Sequence, residues 1–407
     1  MNRKLWIFPV GLLVLFGTWS QRAGAQTRAE LIELARNEKE SRLTPEIAPK
    51  GQRLIVRAQE SLAYRLLTGQ VKGLGVGIGQ IAPGSGFAIG PQYKRSDLLG
   101  GQLTFTVAAR GSTNQSYLGS VGFSLPRLFD GRAFVDFSVV HRNVSEMPYY
   151  GAGPESNKSG RSDYRLEDTN LELRPGIRPF RNFTAGMIGS YLAVNVGAGH
   201  STRYISAERQ YSPAEAPGID RQTDFWRGGG FVEYDWRKRP AKPIGGGKYS
   251  AQYVRYLDRG IGGFSFLRLD LDATQYVPFL NHSRVIALHG ASSLTTTGSS
   301  QRVPFYLQPA LGGSTTLRGY RPFRFYGDNS VLVNAEYRWE LSPILDMVAF
   351  ADAGKVFDRW EQWNLHHLES DVGFGVRLKS RSAVVFSIET GFSHEGFQLW
   401  FRANNLF

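Results

Sequence analysis

The chain has no cysteine among its 407 residues. That absence excludes a disulfide scaffold, a thiolate metal site and a cysteine nucleophile. Beyond the first 25 residues it also lacks any apolar run of 18 residues, so no segment reads as a transmembrane helix. A chain of this kind that enters a membrane must do so as a closed barrel, because only helices and closed barrels satisfy the backbone in lipid. Catalytic signatures are missing as well: there is no HExxH and no complete GxSxG. The histidines are His141, His200, His282, His289, His366, His367 and His394. Only His366 and His367 adjoin, and a pair without a second well-spaced pair makes a poor metal site. The expectation is a protein without catalytic residues, metal or cofactor. The net charge of +13 is spread singly along the chain, with no basic stripe or helix. That distribution argues against nucleic acid as a partner. It suits anionic lipid head groups at a membrane rim, or acidic side chains across a lumen.

Glycine and aromatic residues are abundant: 47 Gly, 8 Trp, 18 Tyr and 26 Phe. Glycine fits turns and crowded barrel walls, and aromatics fit the girdles where a barrel meets the membrane interface. The mean hydropathy of −0.28 hides this pattern, because alternating strands average their apolar half away. Period-two runs separated by turn residues predict strands near 71–81, 86–96, 101–112, 115–125, 132–144, 164–178, 183–197 and 224–236. Further strands are predicted near 248–258, 264–277, 284–297, 331–341, 346–357, 370–379, 382–391 and 397–407. The fold class is therefore all-β: a transmembrane antiparallel barrel of about 16 strands over residues 71–407, an even number as in single-chain bacterial barrels. Connection lengths support the count. Compact turns (126–131, 179–182, 278–283, 342–345) alternate with long connections (145–163, 201–223, 298–330, 358–369). Only 237–247 is long where a short turn is expected.

The N-terminus differs. Arg3 and Lys4 precede the apolar stretch Leu5–Trp19, and Ala23-Gly24-Ala25 offers a small-residue cleavage site before Gln26. Residues 1–25 thus read as a secretory signal peptide, with an uncleaved anchor as the competing reading. Residues 26–70 carry helical formers with narrow apolar stripes (Leu31, Leu34 and Ala35; then Leu54, Ile55, Ala58, Leu62, Leu66 and Leu67), interrupted by Pro45 and Pro49. They read as a short periplasmic helical arm or plug, or as a tether that folds only against the barrel.

The richest stretch is Gly312–Glu340. A segment dense in Gly, Pro and Arg leads into a strand with Val331, Val333, Ala335, Tyr337, Trp339 and Leu341 on one face. Asn334, Glu336, Arg338 and Glu340 occupy the other. An apolar face ending in Tyr and Trp opposite a charged face reads as lipid outside and a wet lumen inside. The same phase directs Phe350, Asp352 and Gly354 inward from one strand. From the next it directs Asp371, Gly373, Gly375 and Arg377 inward.

Four motifs resemble the Omp85 superfamily (bacterial surface antigen, BamA/TamA-like barrels). Leu317-Arg318-Gly319-Tyr320 resembles its Arg-Gly-aromatic loop motif, and Val348–Gly354 its Phe-x-Asp-x-Gly pattern. Ser370–Arg377 resembles its Gly-x-Gly-x-Arg strand, and Tyr149–Glu155 the aromatic-Gly-x-Gly loop of barrel-only members. The resemblance implies that loop 298–330 folds back into the barrel. There Arg318 would pair with Asp352, with Asp371 a second partner, as a structural latch. In a water-filled lumen such a pair is expected to contribute roughly 1–3 kcal/mol. The resemblance further implies an outer-membrane protein with a periplasmic N-terminus. Its role would be inserting or translocating outer-membrane or secreted polypeptides through a weak seam between first and last strands. The glycine-rich Lys72–Gly79 strand suits such a seam. One departure is that the 45 residues from Gln26 to Gln70 are too few for a client-receiving POTRA domain. A binding or structural barrel, or a passive pore, is therefore the alternative. Phe407 ends the last strand as an outer-membrane sorting signal does, implying recognition by the assembly machinery. The remaining expected partners are outer-membrane lipid, including anionic lipopolysaccharide, and client polypeptides, around a monomeric barrel.

Overall fold

The computed structural model describes Glu33 and residues 72–403, apart from 241–242, 281–282, 365 and 380–383. The expected signal peptide, the arm at 26–70 except Glu33, and Phe407 lie outside the described residues. The first seven strands are β1 (Leu74–Gly79), β2 (Ala88–Leu98), β3 (Leu103–Ser112), β4 (Tyr117–Leu128), β5 (Ala133–Tyr149), β6 (Ser162–Ile177) and β7 (Phe183–Ala198). Next come β8 (Phe225–Asp235), β9 (Gly246–Asp258), β10 (Phe266–Phe279) and β11 (Arg284–Thr297). Two short strands, β12 (Ala310–Leu311) and β13 (Phe325–Tyr326), belong to the loop that follows. The wall then resumes with β14 (Asn329–Ser342), β15 (Leu345–Phe357), β16 (Glu369–Lys379), β17 (Val384–Ser393) and β18 (Gly396–Ala403).

All wall strands pair antiparallel with their sequence neighbours, giving one 16-stranded sheet with β1 and β18 at its ends. The expected strand count and class are thus observed. Among the described residues no ladder joins β1 to β18, although the two approach within 8 Å, Cα to Cα. Strand by strand, the pairing otherwise runs without a break from β1 to β18 among the described residues. No helix among the described residues is long and apolar enough to cross a membrane.

Alternation along the wall follows from the two environments. On β14, Val333, Tyr337, Trp339 and Leu341 point outward and are exposed, while Leu332, Asn334 and Glu336 are buried inside. On β16, Val372, Phe374, Val376 and Leu378 are exposed, and Asp371 and Arg377 are buried. A water-soluble barrel would bury the first set and expose the second.

The connection 237–247, long in sequence where a short turn was expected, has a simple explanation. The β8–β9 ladder continues past the strand ends through a Lys238–Gly245 bridge, with the Lys238 amide donating to the Gly245 carbonyl at 2.8 Å. The ladder therefore reaches Lys238 and Gly245, leaving only six residues between the paired positions. Strand β5 runs on to Tyr149, past the expected end at 144, because its last residues pair with the start of β6. The long loops gather at the opposite end and fill it with aromatics. Tyr149, Tyr164, Phe225 and Phe305 are buried together there. The Tyr149–Glu155 loop joins them through an Ala152–Tyr326 bridge and a hydrogen bond from the Gly153 amide to the Tyr326 carbonyl at 2.7 Å.

Candidate functional site: an arginine latch on the last five strands

The connection from β11 to β14 dips into the lumen. Gly312 and Gly313, with φ of +110° and +109°, reverse the chain in a conformation that costs glycine little. The turn is tied by the Gly312 amide donating to Thr316 Oγ1 (2.9 Å) and the Gly313 amide donating to the Leu317 carbonyl (3.2 Å). Leu317 and Tyr320, both fully buried, pack with Leu311, Phe325, Leu332 and Val356. These apolar anchors hold the intervening Arg318-Gly319 pair against the wall.

Arg318 is 6% exposed. Its Nε and Nη2 donate to the two carboxylate oxygens of Asp352, each at 2.8 Å, the forked geometry that a lysine cannot reproduce. Nη1 donates to Glu336 (2.9 Å) and Glu389 (3.3 Å). The face of the guanidinium lies on the Phe350 ring, Cζ 3.4 Å from its centroid, which adds a cation–π contact. Burial by itself lowers the Arg318 pKa, but the Asp352, Glu336 and Glu389 carboxylates together outweigh it and hold the guanidinium above its ordinary value. The loop main chain is fastened too. The Arg318 carbonyl accepts from the Trp400 indole at 2.7 Å, and the Gly319 carbonyl accepts from Ser393 at 2.9 Å. The Tyr320 phenol donates to Glu369 at 2.7 Å. Burial, together with that carboxylate, raises the phenol well above its usual range and keeps it a donor.

The structure places the Arg318 guanidinium on the Asp352 carboxylate. Asp371 takes a different position: it makes no ion pair with Arg318 and stands opposite Asp352 in the β15–β16 ladder. There it receives the Gly319 backbone, where an added Cβ would come within 2.5 Å of the Asp371 Cβ. Gly373 leaves room for the Phe350 ring, Gly375 faces Glu389, and Gly354 faces Leu311. Several residues of the site were not among the expected ones. Glu336 and Glu389 are shared acceptors, and Arg377 donates to both at 2.7–3.0 Å. Arg338 pairs with Glu336, and Arg402 with Glu389. Gly391 and Trp400 meet the Arg318 main chain. Arg318 from the loop and Arg338, Arg377 and Arg402 from the wall thus interleave with Asp352, Glu336 and Glu389, beside Asp371, across five consecutive strands. Glu336 and Arg377 already lay on inward phases of their strands. What alternation does not supply is the cross-strand register that brings them together.

A lumen filled in this way is drier than expected. Side chains of Asp352 and Glu389 have no solvent exposure and that of Arg318 only 7%. Removing one partner from a buried ionic cluster costs about 3–5 kcal/mol, more than the loss of a solvated pair.

The Omp85 superfamily domain matches residues 97–393 of the chain. Solved structures of similar fold include BamA from Haemophilus ducreyi lacking POTRA domains 1-3. It aligns with a TM-score of 0.61 at 15% identity over 82% of this chain and 70% of that one. CdiB from Escherichia coli aligns with a TM-score of 0.54 at 14% identity over 81% of this chain and 60% of that one. At these identities the likeness concerns the fold. No curated protein sequence matches the chain.

Proposed function

The chain belongs to the Omp85 superfamily, and from that premise we propose that its barrel assists the insertion or translocation of outer-membrane or secreted polypeptides. The observation that carries this reading is the seam. An antiparallel sheet of sixteen strands whose terminal strands share no ladder among the described residues brings its two edges side by side. An unpaired edge is a template for another strand. Within a bilayer its bare backbone groups cost several kcal/mol each. A client strand that pairs with either edge removes that cost, so the seam favours β-strand addition over an empty gap. The short β1, Leu74–Gly79, has three glycines in six residues and holds its neighbour weakly. Outer-membrane residence with the N-terminal side in the periplasm completes the reading, the long loops facing outward.

A passive pore is disfavoured by loop 298–328, which occupies the lumen with Phe305, Leu317, Tyr320 and Phe325 all buried. The test is folding of a small client barrel into liposomes that contain the protein, compared with protein-free liposomes. Faster folding is expected. The chain has no natural cysteine, so a pair introduced across the seam, one in β1 and one in β18, can lock it. Oxidation is expected to abolish the acceleration and reduction to restore it. Folding no faster than in protein-free liposomes removes the reading.

A further inference from the structure

The β15–β16 connection, residues 358–368, turns back along the lipid-facing side of the wall. Lys355 shows this most directly. It lies in phase with the outward-facing Ala351 and Ala353, yet is only 4% exposed. Its ammonium donates to the Gln362 carbonyl (2.7 Å), the Asn364 carbonyl (3.2 Å), the Asn364 side-chain oxygen (2.7 Å) and the His366 carbonyl (2.6 Å). Phe357, two residues on, is fully buried, with the Trp363 ring 5.6 Å away. The loop is thus stapled over the end of β15.

Under it lies a cavity of about 310 Å³, bounded by Val331, Val333 and Ala353 on the wall and by Trp363 and Leu368 on the loop, with Lys355 at its edge. Through Val333 and Ala353 it adjoins a groove of about 530 Å³ that runs past Ala335 and Ala351, with Phe392, Ser393 and His394 on its far side. Small side chains make this lane. Ala335, Ala351 and Ala353 form its floor, between the larger exposed Val333 and Val372. At roughly 30 Å³ per water-sized group, the covered part alone takes about ten methylenes. What surrounds the wall is lipid, so what fills an apolar lane on it is an acyl chain.

The lysine supplies the second half. Buried lysines are rare unless paired with an opposite charge. Here all four acceptors are neutral oxygens, and no carboxylate lies within salt-bridge distance among the described residues. The rim end of the lane therefore carries a positive charge matched only by dipoles, which complements an anionic head group.

We propose that this slot holds an acyl chain of a phosphate-bearing membrane lipid, the phosphate drawn to the Lys355 end. Trp363 lines the slot and reports on it, since bromine on an acyl chain quenches indole fluorescence at contact. The full-length protein is placed in phosphatidylcholine nanodiscs doped with dibromostearoyl phosphatidylglycerol or dibromostearoyl phosphatidylcholine. The Trp363 contribution is obtained by difference from Trp363→Phe. One favourable charge contact predicts half-quenching at an about fivefold lower mole fraction of the anionic lipid. Ala353→Phe, or Val333→Phe in its place, fills the slot without touching Lys355 and is expected to erase that preference. Lys355→Met erases it as well, and Lys355→Arg keeps it. Retained heat-modifiable mobility on gels verifies the barrel in each variant. Coincident curves for the two lipids in the native chain, or an anionic preference that survives Ala353→Phe and Val333→Phe, overturn the proposal.

Discussion

Arg318 reaches three carboxylates, yet they do not depend on it equally. Glu336 and Glu389 each retain Arg377, together with Arg338 or Arg402, when Arg318 is gone. Among the described residues Asp352 pairs with no other cation, and Asn334 donates to it at 2.8 Å. Arg318→Ala therefore strands one fully buried carboxylate, at a cost of about 3–5 kcal/mol. The wall, held by its hydrogen-bonded ladder, survives. The expected outcome is faster cleavage of loop 298–328 in limited proteolysis with unchanged heat-modifiable migration of the barrel. Arg318→Lys keeps the charge but loses the fork and the contact with the Phe350 ring, and is expected to fall between. Adding Asp352→Asn to Arg318→Ala removes the stranded charge and should return part of the protection. Equal cleavage in all four proteins would show that the ion pair does not order the loop.

At the scale of elements, the loop and β17 touch through bare backbone. A Cβ on Gly391 would sit 2.5 Å from the Arg318 carbonyl carbon and 2.6 Å from the Gly319 nitrogen. No side chain can move aside to relieve that contact, because the obstructing atoms are main chain. Gly391→Ala is therefore expected to lift the loop from β17 and weaken the Trp400–Arg318 hydrogen bond. The readouts are increased loop proteolysis and an altered indole emission. Gly228 on β8 has nothing within 4 Å of an added Cβ, so Gly228→Ala is the matched control and should change neither. A Gly391→Ala protein indistinguishable from that control would disprove the close approach. The same contact explains what was legible in the sequence. A two-residue period reports which way a side chain points, so Asp352, Asp371 and Glu336 could be directed inward from the strands alone. It does not report which residue stands across from which. Glu389 meets Arg377 and Arg318 only because β16 pairs with β17 in the register Gly375–Glu389. Register comes from turns and packing. In the same way Asp371, expected as a second partner of Arg318, lies on the right wall, but the ion pair is made by Asp352, across the ladder from it.

For the whole molecule, the Arg318 cluster reaches the strand that forms one side of the seam. The cluster that holds Arg318 includes Glu389 on β17 and Arg402 on β18, and Trp400 of β18 grips the Arg318 main chain. The last strand, one side of the seam, is thus braced from inside by the loop that fills the lumen. A cavity of about 600 Å³ lies beside this brace, lined by Gly79, Ser314, Thr315 and Trp400 among others, where loop, seam and β18 meet. Releasing the loop should therefore do two things together: open the lumen to ions, and loosen the edge of β18. In planar bilayers the native chain is expected to show small, brief openings, because the loop occupies the lumen. Arg318→Ala should show larger and longer ones. In the same protein, hydrogen exchange of the β18 amides should rise, while that of β8, on the wall away from the latch, stays unchanged. A rise in conductance without faster exchange in β18 would mean that the loop plugs the lumen but does not brace the seam. Large, steady conductance from the native chain would mean that the loop leaves the lumen in a bilayer.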